Sequence, residues 1–424
     1  MDKKIFAFIK LISIAYLIIF LPQVIYYKTN SFSGDQKNKI IFMNGLENLI
    51  GHKEGFDWLK KLNLCLVCDE EKILDSDGKR DVDLLIQNGF KVKKIVVPTS
   101  KQEFKKSTLS SLSSKKEEDQ TTCKVPVFKW NTDSGLLPVR HLRTMDAIVF
   151  DMNGFGIRYD LCYSALVKAM QAASQNNKKL IVLDRPNLLG EGMEGPGEIP
   201  TRPGLTVGEM ANYLNRYVLH NPVCLTVVPM INWKRNKPLI SAQYNRTSKD
   251  VGAINSFYGY SVLSLLGQIK PINVDTTGWL AYQLFLLPEN NQLSEWETEY
   301  LKKLALKLGL VCKDYFDQNE NSKACFKGVR VKISRDINKF SAFSSMLTLA
   351  RFLKNRKNVT LNYSVNFDDM LGSTLVRDFL QKRISFEELK SKVGKSLREF
   401  YSKAKSCFLY EPFPQPLKVK IIRG

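Results

Sequence analysis

Six carboxylates, Asp151, Asp184, Glu191, Glu194, Glu198 and Glu209, gather in the middle of the 424-residue chain around two apolar runs, DAIVFD and KLIVLD. Two carboxyl groups flanking a sugar can cleave a glycosidic bond. One protonates the leaving oxygen and the other activates water or attacks the anomeric carbon. Spacing alone does not single out that use. Asp184 precedes Arg185 and serves equally well as a turn residue or as its ion-pair partner. Thr206 and Glu209 have the T-x-x-E spacing of a capping box at a helix start. Glu194 lies in MEGP, where Gly192, Gly195 and Gly197 either let the backbone approach a ligand or simply build a loop. Arg158 follows the glycine-bounded turn NGFG. Its rigid fork suits a carboxylate ligand, or an internal ion pair with Asp151 or Asp160.

Other chemistries find little support. There are three histidines, His52, His141 and His220, too few for a histidine-rich metal site. No G-x-S-x-G elbow, Walker A loop, H-E-x-x-H or strand-linked G-x-G-x-x-G occurs, so neither metal nor cofactor is implied. Cys65 and Cys68 form a C-x-x-C inside a strand-like run, without the helix start that a redox motif needs, and read as buried free thiols. Cys312 and Cys325 flank CKDYFDQNENSKAC, which reads as a loop, and are the one disulfide candidate. Lys and Arg number 63 against 42 Asp and Glu, a net charge of +21 that favours anionic partners. The basic residues are not interleaved with a stacking motif, which argues against nucleic acid.

The elements that must position these residues alternate. LCLVC, KVKKIVVP, VPVF, DAIVFD, KLIVLD and VCLTVVPM read as strands. RDVDLLIQNG, with Gly89 at the C-terminal cap, DLCYSALVKAMQAASQNN and LTVGEMANYLNRYVL read as helices. Continuous apolar strands separated by helices predict a mainly parallel sheet covered on both faces, with Asp151 and Asp184 at its carboxyl edge. Residues 107–122 are a polar, low-complexity loop. Beyond about residue 240 helices dominate, punctuated by strands at GVRVKIS and LKVKII, which predicts a smaller α+β domain.

The N-terminus carries Lys3 and Lys4 and then a mostly apolar run from Ile5 to Tyr26, charge-free from Leu11 to Tyr27. That layout predicts export, with residues 1–27 a signal peptide or a membrane anchor. Residues 28–44 follow as a linker, 45–238 as the first domain and 239–424 as the second.

The combination LDRPN, MEGP, GLTVGEMA and VVPMINWKR resembles the DUF1343 family, whose characterised members are the NamZ exo-β-N-acetylmuramidases. ACFKGVRVKI and FDDMLGSTLVRDFLQKR in the second half are similar too, and the resemblance spans roughly residues 62–410. It implies a Rossmann-like first domain, a smaller second domain with a cleft between them, and removal of terminal N-acetylmuramic acid from cell-wall fragments. The lactyl carboxylate of that sugar suits a basic protein. Asp151, Arg158, Asp184, Arg185, Asn187 and Glu209 are then the expected substrate-binding residues.

The departures are informative. Family members carry PEHG after the second strand, and its glutamate is the favoured catalytic residue. Here VVPTSK stands there, with Thr99 at the glutamate position and Ser100 at the histidine. Pro203 replaces another histidine, NGFG replaces QDVG, and NVDTTGW stands near the expected GRGT. Two functions follow. In one the chain remains a glycoside hydrolase, with Glu194 the leading candidate acid and Glu103 a substitute only if its loop is rebuilt. In the other it binds muramyl sugars without cutting them.

Overall fold

The computed structural model describes residues 42–51, 53–69, 81–100, 125–190, 192–235, 248–276, 280–319, 324–333, 340–357, 359–411 and 413–421. The N-terminal apolar run, the 107–122 loop, Glu103 and Glu191 lie outside them. No helix among the described residues is long and apolar enough to cross a membrane.

In chain order the elements begin with α1 (Gly45–Gly51), α2 (Lys53–Phe56), β1 (Asn63–Cys68), α3 (Asp81–Gln87), β2 (Lys91–Thr99) and β3 (Val127–Asn131). Next come β4 (Ala147–Asp151), α4 (Leu161–Gln175), β5 (Lys179–Leu183), β6 (Gly192–Met193), α5 (Val207–Tyr217) and β7 (Cys224–Val228). The rest are α6 (Ser248–Leu266), β8 (Ile269–Lys270), β9 (Leu284–Pro288), α7 (Glu295–Lys307), β10 (Leu310–Asn319), β11 (Ala324–Ile333), α8 (Ala342–Lys354), β12 (Asn362–Tyr363), α9 (Phe367–Leu371), α10 (Leu375–Leu380), α11 (Phe386–Ala404) and β13 (Gln415–Pro416).

Two compact units interleave along the sequence. One comprises the chain up to Met152 with Ala165–Asp184 and Ala211–Asn232; the other holds Asn153–Ser164, Arg185–Met210 and everything from Trp233.

The first unit is the expected α/β layer. Six strands run in the order β3-β2-β1-β4-β5-β7, every neighbouring pair parallel. All five residues of β4 are buried, which is why these strands read as unbroken apolar runs. One core joins Leu64, Leu66, Ile95, Val149, Ile181 and Leu183 of the sheet to Leu46 and Leu49 of α1 and Leu85 of α3. Gly89 ends α3 with φ of 86°, the left-handed cap expected there. Burial pushes the Cys65 thiol up to about 12, so it stays protonated and inert.

The second unit is rich in helices and contains a three-stranded antiparallel sheet, β10-β11-β9. Two expectations fail here. CKDYFDQNENSKAC is not a loop: most of it belongs to the β10–β11 hairpin, whose register sets Cys312 opposite Val331 and Cys325 opposite Gln318. Six rungs of strand put the two Cα atoms about 20 Å apart, far beyond disulfide reach. Cys312 is a free thiol, raised to about 12 by burial. At the C-terminus, LKVKII forms no strand in its described part. Only Gln415–Pro416 pairs, in parallel with β6, and Leu417 donates its N–H to the Met193 carbonyl at 2.8 Å.

Candidate functional site

A parallel sheet sends all its carboxyl ends to one edge. Here that edge carries Thr99, Asn131, Cys68, Asp151 and Asp184. From β1 the chain builds outward to β2 and β3, then returns to the other side of β1 for β4, β5 and β7. The order therefore reverses between β1 and β4, and ligands in doubly wound sheets bind beyond the strands at such a switch point. Asp151 stands there, opposite Cys68 in the register, and is 4% exposed. Asp184 follows β5 on the neighbouring strand and is wholly buried. Its backbone is held from both sides: its N–H donates to Val228 at 3.0 Å and its carbonyl accepts from Gly45 at 2.9 Å. A Cβ on Gly45 would lie 2.3 Å from the Asp184 nitrogen, so only glycine lets α1 come this close.

Thr99 closes β2 at the same edge. Its hydroxyl donates to the Trp130 carbonyl at 3.3 Å, and its own carbonyl accepts from the Thr132 hydroxyl at 3.3 Å. Lys168 donates to the Thr132 carbonyl and brings a positive charge to this corner. A buried alcohol turned into the backbone has neither the acidity nor the reach of a catalytic carboxyl.

The remaining site residues belong to the second unit. Arg158 donates through Nη2 to the carbonyls of Asp369 at 2.6 Å and Met370 at 2.7 Å, in the last turn of α9. Its backbone N–H donates to Thr201 at 2.8 Å. The side chain makes no ion pair with a carboxylate among the described residues, against the expectation of Asp151 or Asp160, and its buried Nε has no hydrogen-bond partner. Burial also lowers its pKa. The guanidinium is hydrogen-bonded to carbonyl dipoles alone, with the Asp369 carboxylate near enough to favour its charge without pairing with it. Asp160 works on the backbone instead. Its oxygens accept from Tyr163 N at 2.6 Å and Phe155 N at 2.7 Å, capping α4 and shaping the NGFG turn. Burial lifts its carboxyl to about 7, although the backbone N–H groups pull the other way.

Asn187 donates to the Leu205 carbonyl and accepts from the Leu189 N–H, both at 2.9 Å. Gly156, at φ of 78°, lies so close that a Cβ would sit 2.2 Å from the Asn187 side-chain oxygen. The NGFG and LDRPN turns thus interlock, and both amide ends of Asn187 serve the loop itself.

Glu194 was the candidate acid, and the geometry gives it different work. It forms an antiparallel bridge with Arg202, and the two side chains form an ion pair whose partners are 2% and 7% exposed. Its carboxylate also accepts from the Ser341 hydroxyl at 2.5 Å, the Phe343 N–H at 3.0 Å and the Ala342 N–H at 3.3 Å. It thus sits at the positive end of α8. Both carboxylate oxygens are thus taken up by Arg202 and the start of α8.

Glu209 is likewise engaged within the structure. It completes the capping box, with Thr206 N donating to its Oε2 at 3.0 Å and its own N–H donating to the Thr206 hydroxyl at 3.2 Å. Its Oε1 accepts from Arg235, in a pair with both side chains fully buried, and from Leu409 N at 2.8 Å. Arg185 is buried as well, at 3% exposure.

Sequence reasoning passed over an aromatic group next to Arg158 in the chain. Phe155 stacks on Tyr260 with centroids 4.7 Å apart, Tyr260 meets Tyr282 edge-on at 4.6 Å, and the Tyr159 hydroxyl donates to the Ser261 carbonyl at 2.9 Å. Phe155 and Tyr260 are half-buried, so ring surface remains open to solvent. The signal was present in NSFYGYS, on α6.

Two family models match the chain. The N-terminal model of exo-β-N-acetylmuramidase NamZ matches residues 64–253 and the C-terminal one matches residues 298–410, together more than half of the chain. The chain is a member of the NamZ family. It is similar to the peptidoglycan β-N-acetylmuramidase NamZ of Bacillus subtilis strain 168, with 22% identity over 313 residues, 68% of this chain and 72% of that protein. Two solved DUF1343 family proteins of Bacteroides fragilis NCTC 9343 are similar to this chain in fold. One has a TM-score of 0.69 at 21% identity, covering 88% of this chain and all of that one. The other has a TM-score of 0.62 at 17% identity, covering 87% and 99%.

Proposed function

We propose that this NamZ-family chain binds muramyl sugars derived from peptidoglycan and has lost most or all of the power to cleave them. The observation that carries the loss is the Glu194 carboxylate, held by Arg202 and by the start of α8, together with Thr99 at the position of the family glutamate. The choice of ligand rests on family membership and on Arg158, whose guanidinium lacks a carboxylate partner. In this reading Arg158 takes the lactyl carboxylate, and Phe155 and Tyr260 offer ring faces to the sugar.

A hydrolytic reading has one observation in its favour. Asp151 is a carboxylate at the switch point, where α/β proteins act on ligands. One experiment separates the two. The purified chain is given a chromogenic β-N-acetylmuramide and, in parallel, its affinity for N-acetylmuramic acid is measured by calorimetry. Binding without release of the chromophore supports the proposal; release at the rate of a PEHG-bearing relative overturns it.

The same reading puts the protein in the cell envelope. Lys3, Lys4 and the charge-free run from Leu11 to Tyr27 support that. A cytosolic pool retaining Met1 in fractionated cells is the result against it.

A further inference from the structure

Trp296 is 71% exposed, an unusual position for the largest apolar side chain. It is not the tip of a loose helix. Ser294 and Glu297 form a complete capping box at the start of α7. Arg356 ties that start down, donating to Glu297 Oε1 at 2.7 Å and to the carbonyls of Asn291 and Gln292 at 2.7 and 2.8 Å. Leu301, Leu304 and Ala305 bury the opposite face of the helix.

The Trp296 ring lies parallel to that of Tyr300, 8° between planes and 5.3 Å between centroids, and Tyr300 leans on Phe352 at 5.9 Å. With 100° of turn per residue, Trp296, Tyr300, Lys303 and Lys307 fall within about 60° of one another along about 16 Å of helix. Both lysines are exposed. Of the acids nearby, Glu297 is paired with Arg356 at 2.7 Å, Glu299 and Asp314 share Lys302 at 2.7 and 2.8 Å, and Glu295 lies in the first turn, about 100° from Trp296.

A flat, exposed ring such as Trp296, braced by the half-buried Tyr300, suits the C–H face of a pyranose, whose weakly positive hydrogens meet the negative ring face. A lysine pair further along the same stripe suits the free carboxylates that an uncut strand carries on its stem peptides. We infer that Trp296, Tyr300, Lys303 and Lys307 form an accessory surface for the uncut, anionic glycan strand of peptidoglycan, holding the chain on the wall from which its small ligand comes. The stripe itself points to an anionic glycan; the choice of peptidoglycan rests on the proposed function.

The test is co-sedimentation of the full chain with purified sacculi, intact and stripped of phosphate polymers. Trp296→Ala and the Lys303→Ala/Lys307→Ala double variant are compared with the unchanged protein, and calorimetry with free N-acetylmuramic acid runs alongside. Retention on stripped sacculi is expected to fall roughly two- to tenfold in Trp296→Ala, and Trp296→Phe should keep most of it. Melting temperature and monosaccharide affinity should not move. Equal retention of all variants overturns the inference. So does retention that vanishes when phosphate polymers are removed, or a Trp296→Ala change that only dissolves a dimer in sedimentation. If sacculi are held through Trp296 while free N-acetylmuramic acid does not bind, the proposed ligand of Arg158 falls and this surface stands.

Discussion

Glu194 and Arg202 are joined twice. Their backbones exchange hydrogen bonds of 2.8 and 3.0 Å, and their side chains close a buried ion pair over the same bridge. The MEGP loop is thereby pinned to Arg202, and through Ser341, Ala342 and Phe343 to the start of α8. The glycines that suggested a ligand-binding loop also serve this clasp. Gly195, at φ of 87°, packs so tightly that a Cβ would lie 1.9 Å from the Thr201 hydroxyl oxygen.

Removing the charge from Glu194 should therefore weaken the fold and leave chemistry untouched. Glu194→Gln leaves Arg202 buried without its counter-charge, and breaking such a pair costs about 3–5 kcal/mol. Chemical denaturation should show a loss of that order, while the folded fraction binds N-acetylmuramic acid as before. A variant of native stability whose hydrolytic activity has disappeared would return Glu194 to the role of catalytic acid.

Arg158 makes the opposite prediction. Its Nη2 grips two carbonyls of α9 and its Nε is buried without a partner, so in the proposed reading the ligand is met through Nη1. Arg158→Lys keeps the charge but cannot hold the carbonyls and a carboxylate in one plane. Affinity for N-acetylmuramic acid should drop about tenfold or more, in line with losing one charge-assisted hydrogen bond of about 1.5–3 kcal/mol. Affinity for N-acetylglucosamine, which has no lactyl carboxylate, should not change. An equal loss for both sugars would mean that Arg158 only holds α9 in place.

Asp160 predicts a dependence on pH. Its folded pKa of about 7 lies above its ordinary 3.8, so the folded chain holds that proton more tightly than the unfolded one. The contribution of the group to stability is fully present below about pH 4 and is lost as pH rises through 7. Melting temperature measured from pH 4 to 8 should fall more steeply in the unchanged protein than in Asp160→Asn. The variant should also be less stable at low pH, because one oxygen cannot accept from both Phe155 and Tyr163. Parallel pH profiles would show that Asp160 does not titrate in this range.

The two halves of the molecule were not equally legible. The first unit was readable because a strand buried on both faces must be apolar throughout, as KLIVL is. In the second, Thr206 and Glu209 still announce a helix start locally. In the second unit β10 was hidden by its own polarity. KDYFDQN carries the charges and turn-forming residues of a loop, and only pairing with β11 makes it a strand. The helix α6 was missed because NSFYGYSVLSLL is apolar on nearly every face and shows no stripe. The surroundings of Glu194 were hidden for another reason. Arg202 is near in the chain, but Ser341 lies 147 residues away, and no local pattern carries that contact.

Thr99 offers a way to put chemistry back. It ends β2 at the same edge as Asp151, two strands away across β1. A glutamate there replaces an alcohol bonded to the Trp130 carbonyl with a carboxyl long enough to pass the strand end. Thr99→Glu with Ser100→His should then raise release from a chromogenic β-N-acetylmuramide by about 10²-fold or more over the unchanged protein, the lower range for general acid catalysis. Adding Asp151→Asn should remove the gain if Asp151 supplies the second carboxylate at the switch point. If the double variant melts normally and binds N-acetylmuramic acid yet releases nothing, the missing glutamate is not what silences the site. The NGFG turn, where the family carries QDVG, then becomes the place to look, since its clasp on Asn187 fixes the loop beside Arg158.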